Sequence, residues 1–404
     1  MDVVSAYRAK GYCDHLAAFG IFPTLVTHRW EPDAMGNWKF HDDEEVVIEK
    51  SDNCVTIRLP RKKNHRIRTG KITNLANYVR GDFEPELEAS YRTFRKFLLN
   101  YVPAERFDAL LVIFSPHFQM KLAYEMKKRF GLPYITDFRD LWDNQVITTS
   151  YRPDFRKRAI DSLIKFWWKR WIREAEFFTT TGLLWMSFLE KVTGKKGYVV
   201  RNGFELEFVP ESDSPVSPPE FVITHFGRLY PSQDLGIFID GYRLFFQTTG
   251  GDVRLEIIGS KPHYGIDGKE LLAVLPRDSW SIIPYMGKKE LLQYCKARTT
   301  VFWMPGFSED NGQLPVKVYD YLMLKKNVLL VPNNSPDLEH VVAGSGAGVA
   351  CNTPDEVCTR LQQWYESFRN LHAVPYHGNS EVIQRYARLH QVMYLADRIH
   401  AHIG

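Results

Sequence analysis

Apolar residues in this chain gather in short runs of strand length, and between them lie stretches with apolar residues at helical spacing. In the first half the runs predict strands over Thr24–Trp30, Val46–Leu59, Ala109–Phe114, Pro133–Asp137, Glu176–Thr180 and Tyr198–Arg201. Periodicity then stops in "PESDSPVSPPE", residues 210–220, whose proline and serine content predicts a linker. The alternation starts afresh beyond it, predicting strands over Phe221–Phe226, Val253–Ile258, Trp280–Pro284, Thr299–Trp303, Asn327–Val331 and Gly348–Cys351. Strands alternating with helices mean parallel sheets. The expected α/β fold is two doubly wound, Rossmann-like domains facing a cleft, with ligands held at the carboxyl ends of strands. Residues 1–209 form one domain and 221–380 the other. The pattern over Glu381–Ile403 predicts one long helix, able to leave its own domain and brace the N-terminal one.

Bulk properties narrow this picture. A chain of 404 residues is too long for one core, which agrees with two domains. A net charge of +4 is too mild to argue for nucleic acid. Five scattered cysteines without CxxC spacing fit reduced cytosolic thiols, with neither a disulfide frame nor a metal site. No apolar run approaches the ~20 residues that cross a bilayer, and no leader pattern opens the chain, so a cytoplasmic protein is expected. Residues 156–178 interleave Arg156, Lys157, Arg158, Lys165, Lys169, Arg170 and Arg173 with Trp167, Trp168 and Trp171. With the basic segment "RKKNHRIR" (61–68), they suit peripheral contact with an anionic membrane at its inner face, or else a solvated basic surface.

Chemistry concentrates at strand ends. Gly227-Arg228 follows the strand Phe221–Phe226, with Ser232 expected to cap the next helix and Asp234 in its first turn. A glycine there lets backbone approach a ligand, and Arg228 adds a permanently charged fork. On the predicted helix 316–324, Lys317, Asp320 and Tyr321 share one face, after Pro315 and the polar loop 306–313. Lys317 near a helix start is disfavoured unless an anion lies there, although the pair also reads as surface decoration. In the first half, Asp137, Arg139 and Asp140 in "TDFRDLW" and His117 in "SPH" follow buried strands. They read as hydroxyl-binding groups or as a structural network of Arg139 with Asp137 or Asp140.

The segments "FGRLY" (226–230), "RLEIIGS" (254–260), "IPYMGKKELLQYCKARTTVFWMPG" (283–306) and "GQLPVKVYDYLMLKKNVLLVP" (312–332) resemble, in order and spacing, the donor domain of family 4 retaining glycosyltransferases of GT-B architecture. "GLPYITDFRDLWDN" (131–144) and "VVRNGFE" (199–205) resemble the acceptor domain of the same family. The resemblance implies that Arg228 neutralises the donor diphosphate, with Gly227 a substrate-binding position beside it, and that Asp320 binds the ribose hydroxyls. It places Lys317 near the phosphates, the amides of Gly312, Gln313 and Leu314 beside the sugar, and Tyr285 near the base. His117, Asp137, Arg139 and Asp140 fall on the acceptor side.

Three departures stand out. The chain opens at what matches the helix after the family's first strand and glycine-rich loop, so that strand is lacking or the start lies upstream. Gln233 and Asp234 stand where the family places a lysine, a charge that Lys317 is left to supply. The family's sugar-orienting glutamate falls on Gly312, with Glu309 three residues out of register. The expected activity is metal-independent, cofactor-free hexosyl transfer with retention. It runs from a UDP- or GDP-linked sugar to a glycan or lipid-linked acceptor, in cell-surface polysaccharide synthesis. The alternatives are a nucleotide-sugar epimerase of the same fold and a non-catalytic partner with a degenerate site.

Overall fold

A computed structural model describes residues 4–32, 38–40, 45–60, 76–208, 218–249, 252–259 and 265–404. The basic segment 61–68 and most of the 210–220 linker lie outside the described residues. Two compact units divide the chain. One contains Ser5–Ile147, Tyr151–Arg201 and Val392–Gly404; the other is built mainly from Asn202–Gln391, with Thr148–Ser150.

In the unit of the second half, six parallel strands form one sheet. Their order is Trp280–Ile283, Val253–Ile258, Phe221–Phe226, Val301–Pro305, Asn327–Val331 and Gly348–Ala350. The central strands "FVITHF" and "VFWMP" are buried along their whole length, as a sheet covered on both faces requires. One face packs around Phe238, Tyr242, Phe245, Val357 and Leu361. The other packs around Leu292, Val318, Tyr319 and Leu338. Chain order reverses between Phe221–Phe226 and Val301–Pro305, which is where such sheets bind ligands. Gly227 and Gly306 end these two strands. A Cβ on Gly306 would fall 1.8 Å from the Pro332 carbonyl oxygen, so only glycine fits there.

The unit of the first half holds two sheets of three or more strands, besides the antiparallel pair Trp30–Pro32 and Trp38–Phe40. Leu110–Phe114, Tyr134–Phe138, Phe178–Thr180 and Gly197–Val199 are parallel neighbours in that order. Thr24–His28, Val55–Leu59 and Val47–Lys50 form the second, mixed sheet. Among the described residues no strand pairing joins the two sheets. The helix Phe118–Phe130 packs on both, through Met120 and Ala123 on the four-stranded side and Leu122 against Ile57 and Leu59 on the other.

Three predicted elements are corrected. The run Val46–Leu59 is two antiparallel strands, because Ser51, Asp52 and Asn53 favour a turn. Its Ser51 donates its N–H to the Cys54 carbonyl at 2.9 Å and accepts the Cys54 N–H at its hydroxyl at 3.1 Å. The helix after Gly227 begins at Gly236, beyond Ser232. The long C-terminal helix is broken into Ser380–Gln384 and Arg388–Ile403, because Ala387 bridges Phe204 and Arg388 binds Glu205 and the Gly203 carbonyl. Val392, Leu395 and Ala396 of the second piece join a core with Tyr12, Leu16, Ile135, Phe177 and Val200.

The first helix, Val4–His15, is anchored by a buried charge pair. Arg8 donates to both carboxylate oxygens of Asp137, at 2.6 and 2.7 Å, and to the carbonyls of Val200 and Arg201. Tyr12 and Thr179 hydroxyls complete the shell of Asp137. Burial alone would raise this carboxyl, but the Arg8 charge and the hydrogen bonds of Arg8, Thr179 and Tyr12 hold it below the usual range. An Arg8→Met variant leaves Asp137 in place without its counter-charge, and urea denaturation is expected to show a loss of about 3–5 kcal/mol. The stabilisation from Asp137 is present above the unfolded carboxylate value and disappears as pH falls through the lower folded value. Without Arg8, burial raises that folded value, so the acid-unfolding midpoint moves to higher pH.

Candidate functional site

His225 is the ionisable residue of the buried strand Phe221–Phe226, one position before its last residue. Burial, and after it the charge of Lys317, hold the imidazole far below its ordinary pKa, so it is neutral. Its Nδ1 lies 3.1 Å from the Trp303 carbonyl oxygen and 3.3 Å from the Tyr321 hydroxyl. That network assigns the ring proton to Nδ1 and leaves Nε2 as an acceptor. Lys317 Nζ supplies the donor at 3.2 Å and also donates to the Arg228 carbonyl at 3.1 Å.

Gly227 completes the turn. Its φ of +85° is in the left-handed region, and a Cβ there would lie 3.3 Å from Lys317 Nζ. Lys317 thus reaches from the helix Lys317–Met323 to the Gly227-Arg228 turn at the switch point of the sheet. Among the described residues no carboxylate stands within ion-pair distance of its ammonium group. Burial pushes its pKa down to about 7. The side chain keeps part of its surface open, so water works against that shift. Arg228 itself is exposed beside it.

Asp320 lies on the same short helix but is already engaged. It is buried and ion-paired with Lys288, the first residue of the helix Lys288–Arg298. Burial raises the carboxyl, opposed by Lys288 and then by Arg388. The loop before Lys317 is also partly spent on itself. Gly312, at φ +70°, donates its N–H to Asp310 Oδ1 and Gln313 donates its own to Asn311 Oδ1, each at 3.0 Å. The Leu314 side chain is core. Glu309 turns to Ser150, accepting its N–H at 3.0 Å and its hydroxyl at 2.8 Å, and these bonds lower its pKa. Tyr285 is exposed, beside Gly259.

Two acceptor-side expectations meet a packed interior. Asp137 is consumed by Arg8, a partner 129 residues away that neither Arg139 nor Asp140 replaces. His117 accepts the Trp168 indole N–H at 3.1 Å and meets Phe83 and Phe114 edge-on. Burial drives it down to about 3, so it is a neutral core imidazole. Arg139 and Asp140 stay adjacent, and Arg139 Nε is buried without a hydrogen-bond partner. Three nearby groups were not singled out from the sequence. His225 and Lys288 had a local signal, a lone polar residue in an apolar run and the lysines of "GKKELL". Glu84 had none; it accepts the His117 N–H at 2.8 Å, and burial pushes it up to about 7.

A cation without a counter-charge costs stability until a ligand supplies one. The Lys317→Met variant, similar in volume, is therefore expected to melt no lower than the wild-type protein in the absence of ligand. Because the folded pKa of Lys317 lies below the unfolded one, the wild-type chain gains stability from this residue as pH rises from about 7 toward the ordinary lysine range. Thermal melts over that range should show the two proteins converging.

No protein-family model matches the sequence, and no curated protein matches it by sequence. Solved structures match it along nearly its full length. The sucrose-phosphate synthase of Thermosynechococcus elongatus is similar with a TM-score of 0.66 at 13% identity, covering 98% of this chain and 92% of that one. WaaG, a glycosyltransferase involved in lipopolysaccharide biosynthesis, gives 0.60 at 11% identity over 98% and 96%. HepE of Anabaena, crystallised with UDP, gives 0.56 at 12% identity over 94% and 100%. The fold of this chain is that of the GT-B glycosyltransferases, with two Rossmann-like domains in one polypeptide.

Proposed function

We propose that this protein is a retaining glycosyltransferase that moves a hexosyl group from a nucleotide-sugar donor to a glycan or lipid-linked acceptor. One observation carries the reading: a lysine without a carboxylate partner among the described residues, held by neutral His225 and the Arg228 carbonyl at the switch point of a parallel sheet. A diphosphate is the ligand that such a site lacks. Negative charge grows on the β-phosphate as the bond from sugar to phosphate breaks, and Lys317 and Arg228 stabilise it where it forms. The acceptor hydroxyl gives its proton to the leaving phosphate as its oxygen bonds the anomeric carbon. Asp320, held by Lys288, retains acceptor capacity for ribose hydroxyls. The similarity to HepE, which binds UDP, favours a UDP-linked donor over a GDP-linked one.

The acceptor side rests on Arg139 and Asp140 in this reading. A peripheral position at the inner face of a membrane is supported by the helix Phe155–Glu174, which exposes Arg158, Lys169, Arg170 and Arg173 together with Phe155 and Phe166. Its Trp168 and Trp171 are core residues and take no part in that contact. No helix among the described residues is long and apolar enough to cross a membrane. Synthesis of a cell-surface polysaccharide is the process this combination suits.

A second reading is favoured by the pairing of Asp320 with Lys288 and of Glu309 with Ser150: a non-catalytic partner whose sugar and ribose contacts have been lost. Calorimetric titration with UDP and GDP separates the two. The transferase should bind one of them, and Arg228→Ala or Lys317→Met should weaken binding by about 1–3 kcal/mol. Binding a diphosphate returns Lys317 to its charged form, so affinity falls as pH rises through about 7. Titrations in buffers of different ionisation heat should register proton uptake. Absence of binding by either nucleotide would leave the partner reading standing.

A further inference from the structure

We infer that Cys13 and Cys54 form a reversible disulfide that fastens the first helix to the hairpin of the smaller sheet. All five cysteines are free thiols in this structure, and Cys54 Sγ donates to Cys13 Sγ across only 2.8 Å. Both sulfurs sit on ordered backbone. Cys13 is in the helix Val4–His15, and Cys54 closes the turn in which Ser51 holds it by main-chain and hydroxyl hydrogen bonds. A second contact ties the same two segments together, the Asn53 amide donating to the Asp14 carbonyl at 3.2 Å. Little backbone movement is therefore needed to bring the thiols to bonding distance.

The position gives the bond a mechanical consequence. The helix carries Arg8 and so belongs with the four-stranded sheet, whereas Cys54 leads into Val55–Leu59 of the three-stranded sheet. Strand pairing does not join these sheets among the described residues, so the disulfide is a covalent tie across a boundary that has packing and the Asn53–Asp14 hydrogen bond but no shared strand ladder. It closes a loop between residues 41 apart in the chain. In a reducing cytosol the pair rests as thiols and closes under oxidative load.

Glutathione disulfide is a sufficient oxidant. One cysteine thiolate attacks it and releases a glutathione thiolate. The second cysteine then attacks the mixed disulfide and releases the other. The protein loses two electrons and two protons, and one glutathione disulfide becomes two thiols. Burial, and then the neighbouring Cys54 thiol, push the Cys13 thiol up, so the exchange is slow and equilibration takes hours.

The test equilibrates the full chain in glutathione buffers of increasing oxidised fraction, traps free thiols and maps peptides without reduction. A linked Cys13–Cys54 peptide, lighter by two hydrogens, is expected. The melting temperature should rise by about 5–10 °C and return on adding reductant. Cys13→Ser and Cys54→Ser should each abolish the shift, and Cys358→Ser should keep it. The proposal is overturned if folded protein at the fully oxidised ratio carries only free thiols or glutathione adducts at Cys13 and Cys54. Linkage of either residue to another cysteine overturns it equally, and the wild-type map decides this even if a variant misfolds.

Discussion

A charge removed from water must find an opposite charge, a set of dipoles or a ligand, and the two larger sheets of this protein meet that demand in different ways. Beneath the four-stranded sheet the demand is met internally. Arg8 and Asp137 neutralise each other, two hydroxyls and two carbonyls absorb the remaining valences, and the first helix is fixed against the sheet. At the switch point of the six-stranded sheet it is met only in part. Lys317 has two neutral acceptors and, among the described residues, no carboxylate partner. The same physics makes one cluster architecture and leaves the other as the site proposed for a diphosphate.

Neutral groups prepare that site. Were His225 charged, it would repel Lys317; its burial beside Trp303 keeps it an acceptor. Gly227 leaves the ammonium room, and the turn it permits turns the Arg228 carbonyl toward Lys317. Asp320, the residue proposed for the ribose, is less open, because it is buried in an ion pair with Lys288. In the proposed reading a donor would meet Lys317, which has no carboxylate partner among the described residues, and Asp320, already paired with Lys288.

The apolar and polar pattern was enough for the two parallel sheets, because a strand buried on both faces must be apolar throughout and its neighbours must cross over through helices. Phe221–Phe226, Val253–Ile258 and Asn327–Val331 have the bounds their hydrophobic runs predict. Local breaks were less visible. The Ser51–Cys54 turn hides inside an apolar stretch, and the gap before Arg388 hides inside a helical period, since it is imposed by Phe204 and Glu205 from far away in the chain.

Partnership is what the sequence could not contain. It identified Lys317, Gly227 and Arg228 as groups able to serve an anion and Asp320 as one able to hold hydroxyls, because residue chemistry and helical spacing are local properties. Whether each group is free is decided by residues that folding brings near. Asp137 and His117 looked like strand-end ligands until Arg8 and Trp168, 129 and 51 residues distant, took their hydrogen-bonding capacity. Lys317 and Asp320 read either as a binding pair or as a surface ion pair, and the tertiary structure gave the carboxylate to Lys288. The sequence by itself determined the sheets and the chemical inventory at their ends. Only the folded chain decided which charges are paired and which, like Lys317, have no carboxylate partner among the described residues, because pairing depends on distance in space and on the loss of water around each group.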